Sequence, residues 1–323
     1  MTLLVLIPTV PSLLYIILSI SPVQRAVGRR AEKELTALLG TDVTIGNVEI
    51  APFNRVTLGD ISGKDTNGVD ALAVGHLGAG INLTDLIFSG RIVVSYAEII
   101  DLRAKIYRDS VNTPLNIAPI LERFKPKDPN RPPTLFDLAV NMIVIRRANI
   151  EYDILSSPAK EENRFDAAHI HVNDLRADIK LPRIKNDDFI IEIKRLAAKE
   201  NSGITLKELR GNFTLSDTAA TVTGLIVDFP ATHLAIGDIS ASYSSLKTIT
   251  GDIIDSPVSL LVLPGSYATP MDFSAFAPEL ADVDARADIE IDLSGTVNDL
   301  NLDRLDITAY SENVWIRGNG KIT

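Results

Sequence analysis

The sequence predicts a mostly β chain: an elongated antiparallel sheet with one aliphatic face, led by an apolar anchor and a capping helix. Three observations predict it. Hydrophobic residues make up 46% of the 323 residues but aromatics only 6%, so the apolar content is largely aliphatic and suits strands. From Asp42 onward apolar and polar residues alternate with period two, as strands with distinct faces require. Residues 1–24 carry no charge, and residues 3–20 read almost continuously apolar, close to the roughly 20 residues a helix needs to cross a bilayer.

The first segment, residues 1–24, reads as an uncleaved anchor. A cleaved signal peptide would want a basic start, and Pro22 follows the only Ser-x-Ser that could be cut. Pro8 and Pro11 would kink the helix. Arg25, Arg29, Arg30 and Lys33 follow it; the positive-inside rule would put that flank in the cytoplasm, but charge alone leaves the orientation open. A helix comes next, with Ser21 as N-cap, Pro22 at its first position and Gln24 completing a capping box. Val23, Val27, Ala31, Leu35 and Leu38 recur at helical spacing, and Gly40 stops the helix. Such a helix either caps a sheet or lies on a membrane surface; capping is the favoured reading.

The strands then declare their faces. Ile100, Leu102, Ala104 and Ile106 oppose Asp101, Arg103, Lys105 and Tyr107. Ala148, Ile150, Tyr152 and Ile154 oppose Asn149, Glu151 and Asp153. Leu175, Ala177, Ile179 and Leu181 oppose Asp174, Arg176, Asp178 and Lys180, while Ala287, Ile289, Ile291 and Leu293 oppose Asp288, Glu290, Asp292 and Ser294. Short helical inserts are expected at residues 84–88 and 116–124, and turns at 218–220 and 231–233. The proline-rich stretch 125–133 cannot join a central ladder and reads as a linker. The expected organisation is therefore an anchor (1–24), a first β-groove module with its capping helix (25–124), the linker (125–133) and continuing β-groove repeats (134–323). Val314, Ile316 and Ile322 carry the strand pattern to the end, so a longer natural chain is expected.

Strands with one apolar face need a second sheet, a helix layer or a ligand to cover it, and helices are few. A closed sandwich or barrel is one solution. The other, taken here as the expectation, is an open, taco-like β-groove lined by Ile100, Leu102, Ile106, Ile150, Ile154, Leu175, Ile179, Leu181, Ile289, Ile291 and Leu293.

An ordered series of features resembles the AsmA and TamB proteins of Gram-negative envelopes. After the span and capping helix come Leu39-Gly40-Thr41-Asp42-Val43-Thr44-Ile45-Gly46-Asn47-Val48 and Val56-Thr57-Leu58-Gly59-Asp60-Ile61. Then follow Ile81-Asn82-Leu83-Thr84-Asp85-Leu86-Ile87-Phe88-Ser89-Gly90-Arg91-Ile92 and a strand ending Ile106-Tyr107-Arg108-Asp109 ahead of Leu115-Asn116-Ile117. At the far end, Leu293-Ser294-Gly295-Thr296-Val297-Asn298-Asp299-Leu300-Asn301-Leu302 and Gly318-Asn319-Gly320-Lys321-Ile322 are similar to the repeating strand units of TamB, particularly its Bacteroidetes-like forms. The resemblance implies a single-pass bacterial inner-membrane protein with its body in the periplasm, not an enzyme, that moves phospholipid toward the outer membrane. It also implies an outer-membrane partner of the TamA or BamA type. Members of the TamB kind are much longer than this chain, and the basic residues expected before the span are missing.

Other functions find little support. A net charge of -10 argues against nucleic acid, and with no cysteine there is no thiolate chemistry. No cofactor is called for. His169 and His171 share a strand face without a third metal ligand and read as solvated. Ser244-x-x-Lys247 lacks its companion motifs, and Gly75, Gly78 and Gly80 lack the order and context of a dinucleotide loop. The acids Asp282, Asp284, Asp288, Glu290 and Asp292 read as a solvated face, and the sequons at Asn82 and Asn212 as chance. The expected function is a lipid-transfer conduit; the alternatives are a scaffold for outer-membrane protein assembly and a closed, adhesin-like sandwich.

Overall fold

The computed structural model describes residues 20–51, 55–65, 67–81, 92–123, 136–160, 163–181, 189–216, 218–243, 257–283, 285–296, 298–309 and 313–322. The apolar stretch 3–19, the insert at 84–88, the linker 125–133 and the Ser244-x-x-Lys247 motif lie outside them. Among the described residues no helix is long and apolar enough to cross a membrane. The chain divides into two compact units, residues 1–159 with 168–173, and residues 160–167 with 174–323.

The first unit contains α1 (Ser21–Leu39), β1 (Val43–Ala51), β2 (Arg55–Lys64), β3 (Asp70–Ile81), β4 (Ile92–Arg108), α2 (Ala118–Arg123), β5 (Phe136–Ile154) and the start of β6 (His169–Lys180), with each strand beside the next. β1 to β4 pair antiparallel, whereas β4 and β5 run parallel, an exception to the antiparallel pairing that the sequence predicts. A parallel pair needs a crossover of a dozen residues or more. Residues 109–135, which carry α2, supply it.

α1 covers both the edge and the inner face of this sheet. Thr36 Oγ1 accepts the Val43 N–H at 3.2 Å and Glu32 Oε1 accepts the Ile45 N–H at 2.9 Å, so helix side chains occupy donors that an edge strand would otherwise offer to another chain. Ala31, Leu35 and Leu39 pack on the core cluster Val43, Leu58, Ile61 and Val74, as the capping reading expected. A Cβ at Gly28 would stand 3.0 Å from Val48 Cγ2, so the helix backbone lies almost on the strand. The start of the helix differs from expectation. Ile20 is the N-cap and has no capping side chain, while the N–H groups of Val23 and Gln24 bond its carbonyl at 2.9 and 3.1 Å, so no Ser21–Gln24 capping box forms. Gly40 ends the helix as expected, at φ 71°, its N–H on the Thr36 carbonyl at 2.7 Å.

The core residues of this sheet do not follow a two-residue period. Ile45 and Val48, Leu58 and Ile61, Val74 and Leu77, and Ile99 and Leu102 all belong to one cluster, although residues three apart on a regular strand face opposite ways. The four irregularities share one register: Ile45 pairs Ile61, Ile61 pairs Val74 and Val74 pairs Leu102, while Val48 pairs Leu58, Leu58 pairs Leu77 and Leu77 pairs Ile99. Between these two rows each strand spends two residues away from the core. Asp60 and Asp101 do so with φ of 52° and 58°, a left-handed conformation that aspartate tolerates better than most residues, and Arg147 on the next strand, β5, shares it at φ 54°. Glycine stands opposite the aspartates. A Cβ on Gly46 would be 2.9 Å from Asp60 Cβ, and one on Gly75 3.0 Å from Asp101 Cβ. The line ends at Arg147, whose guanidinium grips Asp101 with Nε to Oδ1 at 2.7 Å and Nη2 to Oδ2 at 2.8 Å; this bond holds the Asp101 carboxyl below its ordinary range.

The crossover is pinned by a buried polar knot. Asn116 exchanges hydrogen bonds with the Tyr107 backbone (2.8 and 2.9 Å) and donates Nδ2 to the Lys105 carbonyl at 3.0 Å. Tyr107 donates its hydroxyl to Asp65 at 2.6 Å, and Asp65 also accepts the Asn67 and Val69 N–H groups. Burial pushes the Asp65 carboxyl up, but these donors outweigh it and hold it below 3.8.

The second unit holds the rest of β6, then β7 (Phe189–Glu200), β8 (Thr205–Leu215), β9 (Ala219–Asp228), β10 (His233–Ser242), β11 (Val258–Val262), β12 (Tyr267–Ala268), β13 (Ala287–Thr296), β14 (Asp299–Ala309) and β15 (Val314–Ile322). Neighbours in sequence pair antiparallel from β7 onward, except that β11 pairs β13 and the short β12 bridges β10 and β13. Among the described residues this unit has no α-helix, only two 3-10 turns, Pro270–Phe273 and Pro278–Leu280. Ser266, fully buried, anchors the excursion that carries them by hydrogen bonds to the Ala235 N–H and carbonyl at 2.9 and 3.2 Å.

The close approach in the first unit makes a stability prediction. Gly75→Ala should cost about 1–3 kcal/mol in chemical unfolding. Gly63→Ala, whose Cβ would meet Leu72 at an ordinary 3.5 Å, should cost well under half as much. Equal losses would contradict the crowded row.

Candidate functional site

In the second unit the pairing register lines up two rows of apolar side chains. One runs Phe213, Val222, Ile239, Leu260, Leu293, Leu302; the other runs Leu225, Ile236, Val262, Ile291, Leu305. On β11 and β13 the rows are two residues apart, but on β9, β10 and β14 they are three apart. Gly224, at φ 59°, and register shifts between Ile236 and Ile239 and between Leu302 and Leu305 absorb the extra residue. A bulge restores a shared face that strict alternation would lose. Leu225 and Val262 are buried, and the other members are half-buried. Along β13 no residue is buried and none fully exposed.

Such a surface can hold aliphatic chains through non-directional contact, at about 0.8 kcal/mol per methylene removed from water. Ile289, Ile291 and Leu293 stand opposite Ile307, Leu305 and Leu302 and, like every residue of β13, are half-buried. Leu175 and Ile179 are half-buried on β6, where Ala177 is buried, and Leu181 follows directly after the strand. Strict alternation missed Val222, Ile236, Ile239, Leu302 and Leu305; the signal available was the paired i and i+3 aliphatics flanking a glycine or a polar doublet.

In the first unit the apolar face is partly taken up by α1. Leu102 packs on the covered cluster, but Ile100 does not: Ile99 takes that place and Ile100 pairs His76, because Asp101 in the left-handed conformation shifts the face by one residue. The assignment of Ile100 and Leu102 to one face is therefore corrected. Ile106 and Ile150 are half-buried, paired with Tyr152 and Ala104, and Ile154 is buried.

The histidine pair is not the solvated one expected. His169 Nδ1 and His171 Nε2 both reach Asp153 Oδ1, at 2.8 and 3.1 Å, and His169 Nε2 lies 3.0 Å from the Ser157 carbonyl. Asp153 sits one strand away, which is why spacing within β6 did not reveal it. Among the described residues no group of three or more acidic, histidine or cysteine side chains is placed to hold a metal. Gly75, Gly78 and Gly80 lie along β3. Asp288, Glu290 and Asp292 are spaced along β13, where Asp288 meets Arg286 and Glu290 meets Arg304.

Burial pushes the Asp153 carboxyl up, yet the hydrogen bonds from His169 and His171 outweigh it and leave the group below its ordinary 3.8. A carboxyl lowered by folding stabilises the native state above its unfolded value and loses that contribution as pH falls through the folded one. Asp153→Asn should therefore destabilise by about 1–2 kcal/mol at pH 7, and the difference from the native chain should close as pH falls below 3.8. A gap that stays constant as the pH is lowered through the acid range in denaturant titrations would contradict this.

Compared with known protein families, curated proteins and solved structures, the chain matches none.

Proposed function

We propose that this chain is a lipid-transfer conduit that shields phospholipid acyl chains against its aliphatic sheet faces while headgroups stay in water. The observation that carries the reading is the pair of apolar rows of the second unit, most of whose members are only half-buried, which the register aligns across β8 to β14 and which no α-helix of that unit covers among the described residues. A closed sandwich would bury such residues fully, since removing them from water is what stabilises it. The uncharged residues 1–24 and the resemblance to AsmA and TamB proteins fit an anchor in a bacterial inner membrane and a body in the periplasm. A headgroup-tolerant trough needs no catalytic residue.

A second reading, a scaffold for outer-membrane protein assembly alongside a TamA- or BamA-type insertase, draws on one feature. Among the described residues β15 pairs only with β14, and it exposes Val314, Trp315 and Ile316 by 51%, 68% and 51%, a strand edge suited to β-augmentation. A photo-crosslinker at Trp315 that captures outer-membrane strands would favour it.

Replacing Ile289 and Ile291 with Asp tests the conduit. In an open face the variant should stay folded, with a modest loss of thermal stability, yet fail to transfer a fluorescent phospholipid between vesicles. Asp288→Asn and Asp292→Asn should leave transfer nearly unchanged. Global unfolding of the double variant would indicate an enclosed core, because unpaired buried charge is costly, and normal transfer by a folded variant would equally contradict the reading.

A further inference from the structure

α1 and β1 enclose a half-open cavity of about 350 Å³ whose walls include Arg25, Gly28, Arg29, Glu32, Asn47 and Val48. Its charges are unbalanced in a way the fold does not explain. Arg25 and Arg29 stand one helical turn apart, where like charges weaken a helix. Arg30 has Glu34 as a partner at 2.5 Å, but among the described residues neither Arg25 nor Arg29 forms an ion pair. Glu32, the acid in the wall, already accepts the Ile45 N–H on Oε1 at 2.9 Å. The floor is fixed by packing, since Gly28 lets the helix settle onto Val48. Ser21, Gln24 and Asn47 add neutral polar residues to the lining.

Two guanidinium forks with hydroxyl and carboxamide donors suit an anion that offers several oxygens in different directions. We propose that this cavity binds a phosphate group. The bound group is either the headgroup phosphate of an anionic lipid, for which the preceding apolar residues 3–20 would bring the cavity to a bilayer surface, or free phosphate. The site stands on the cavity and its two arginines, and does not require the sheet faces to carry lipid.

The test uses the full chain in a non-ionic detergent. Inorganic phosphate is titrated calorimetrically at constant ionic strength, and the same proteins, returned to liposomes, are assayed for retention of soluble phosphatidic acid and phosphatidylcholine. R25Q/R29Q removes the two lining cations, R25K/R29K keeps charge without the fork, and R30Q/K33Q removes the same charge from positions outside the cavity. Native chain and R30Q/K33Q should bind phosphate alike, R25Q/R29Q at least roughly tenfold more weakly, and R25K/R29K in between; circular dichroism checks each fold, and the lysine pair decides if the glutamine pair unfolds. The same ranking for phosphatidic acid over phosphatidylcholine assigns the site to a headgroup, and the ranking for inorganic phosphate alone assigns it to the free ion. No binding of either by the native chain, or equal loss in R25Q/R29Q and R30Q/K33Q, overturns the proposal.

Discussion

One constraint organises the first unit: at a single register every strand from β1 to β4 turns two consecutive residues away from the core. Strict alternation would send Ile61 to the opposite face from Leu58, and Leu102 away from Ile99, dividing the cluster on which α1 rests. Left-handed Asp60 and Asp101 avoid that outcome, and they fit only because Gly46 and Gly75 yield the space opposite. The edge protection of β1 follows, since Thr36 and Glu32 reach its N–H groups only if the helix packs down on that cluster.

The second unit meets the same geometrical problem with different means. Gly224 and the shifts in β10 and β14 keep aliphatics three apart on one face beside strands whose aliphatics are two apart. The outcome differs because no α-helix among its described residues covers that face. Where α1 packs on the apolar cluster of the first unit, the second leaves Ile236, Ile239, Leu260, Ile291 and Leu293 only half-buried. That difference is what supports the proposed lipid-shielding role, because acyl chains need contact area and exclusion of water but no directional partners.

Much of this was legible in the sequence. The β class, the C-terminal stop of α1 at Gly40 and the short helix after Asn116 could all be read from period and turn chemistry. The misplacement of Ile100 has one cause. A left-handed aspartate leaves no mark in a polar-apolar pattern except a single displaced residue, and its partner glycine lies on another strand. The parallel pairing of β5 and the meeting of Asp153 with two histidines were hidden likewise, since both depend on which strands become neighbours. The capping box failed because Ile20 already receives the first helical N–H groups through its backbone.

The central claim is that the aliphatic face of the second unit is reachable from outside the folded protein. The chain has no cysteine, so a single Ile291→Cys variant reports on that face alone. Its reaction with a small maleimide should proceed in the folded, delipidated protein within about tenfold of the rate at an exposed control such as Asn301→Cys, and phospholipid should slow it. A thiol that reacts only after denaturation would place Ile291 in a closed core and contradict the account.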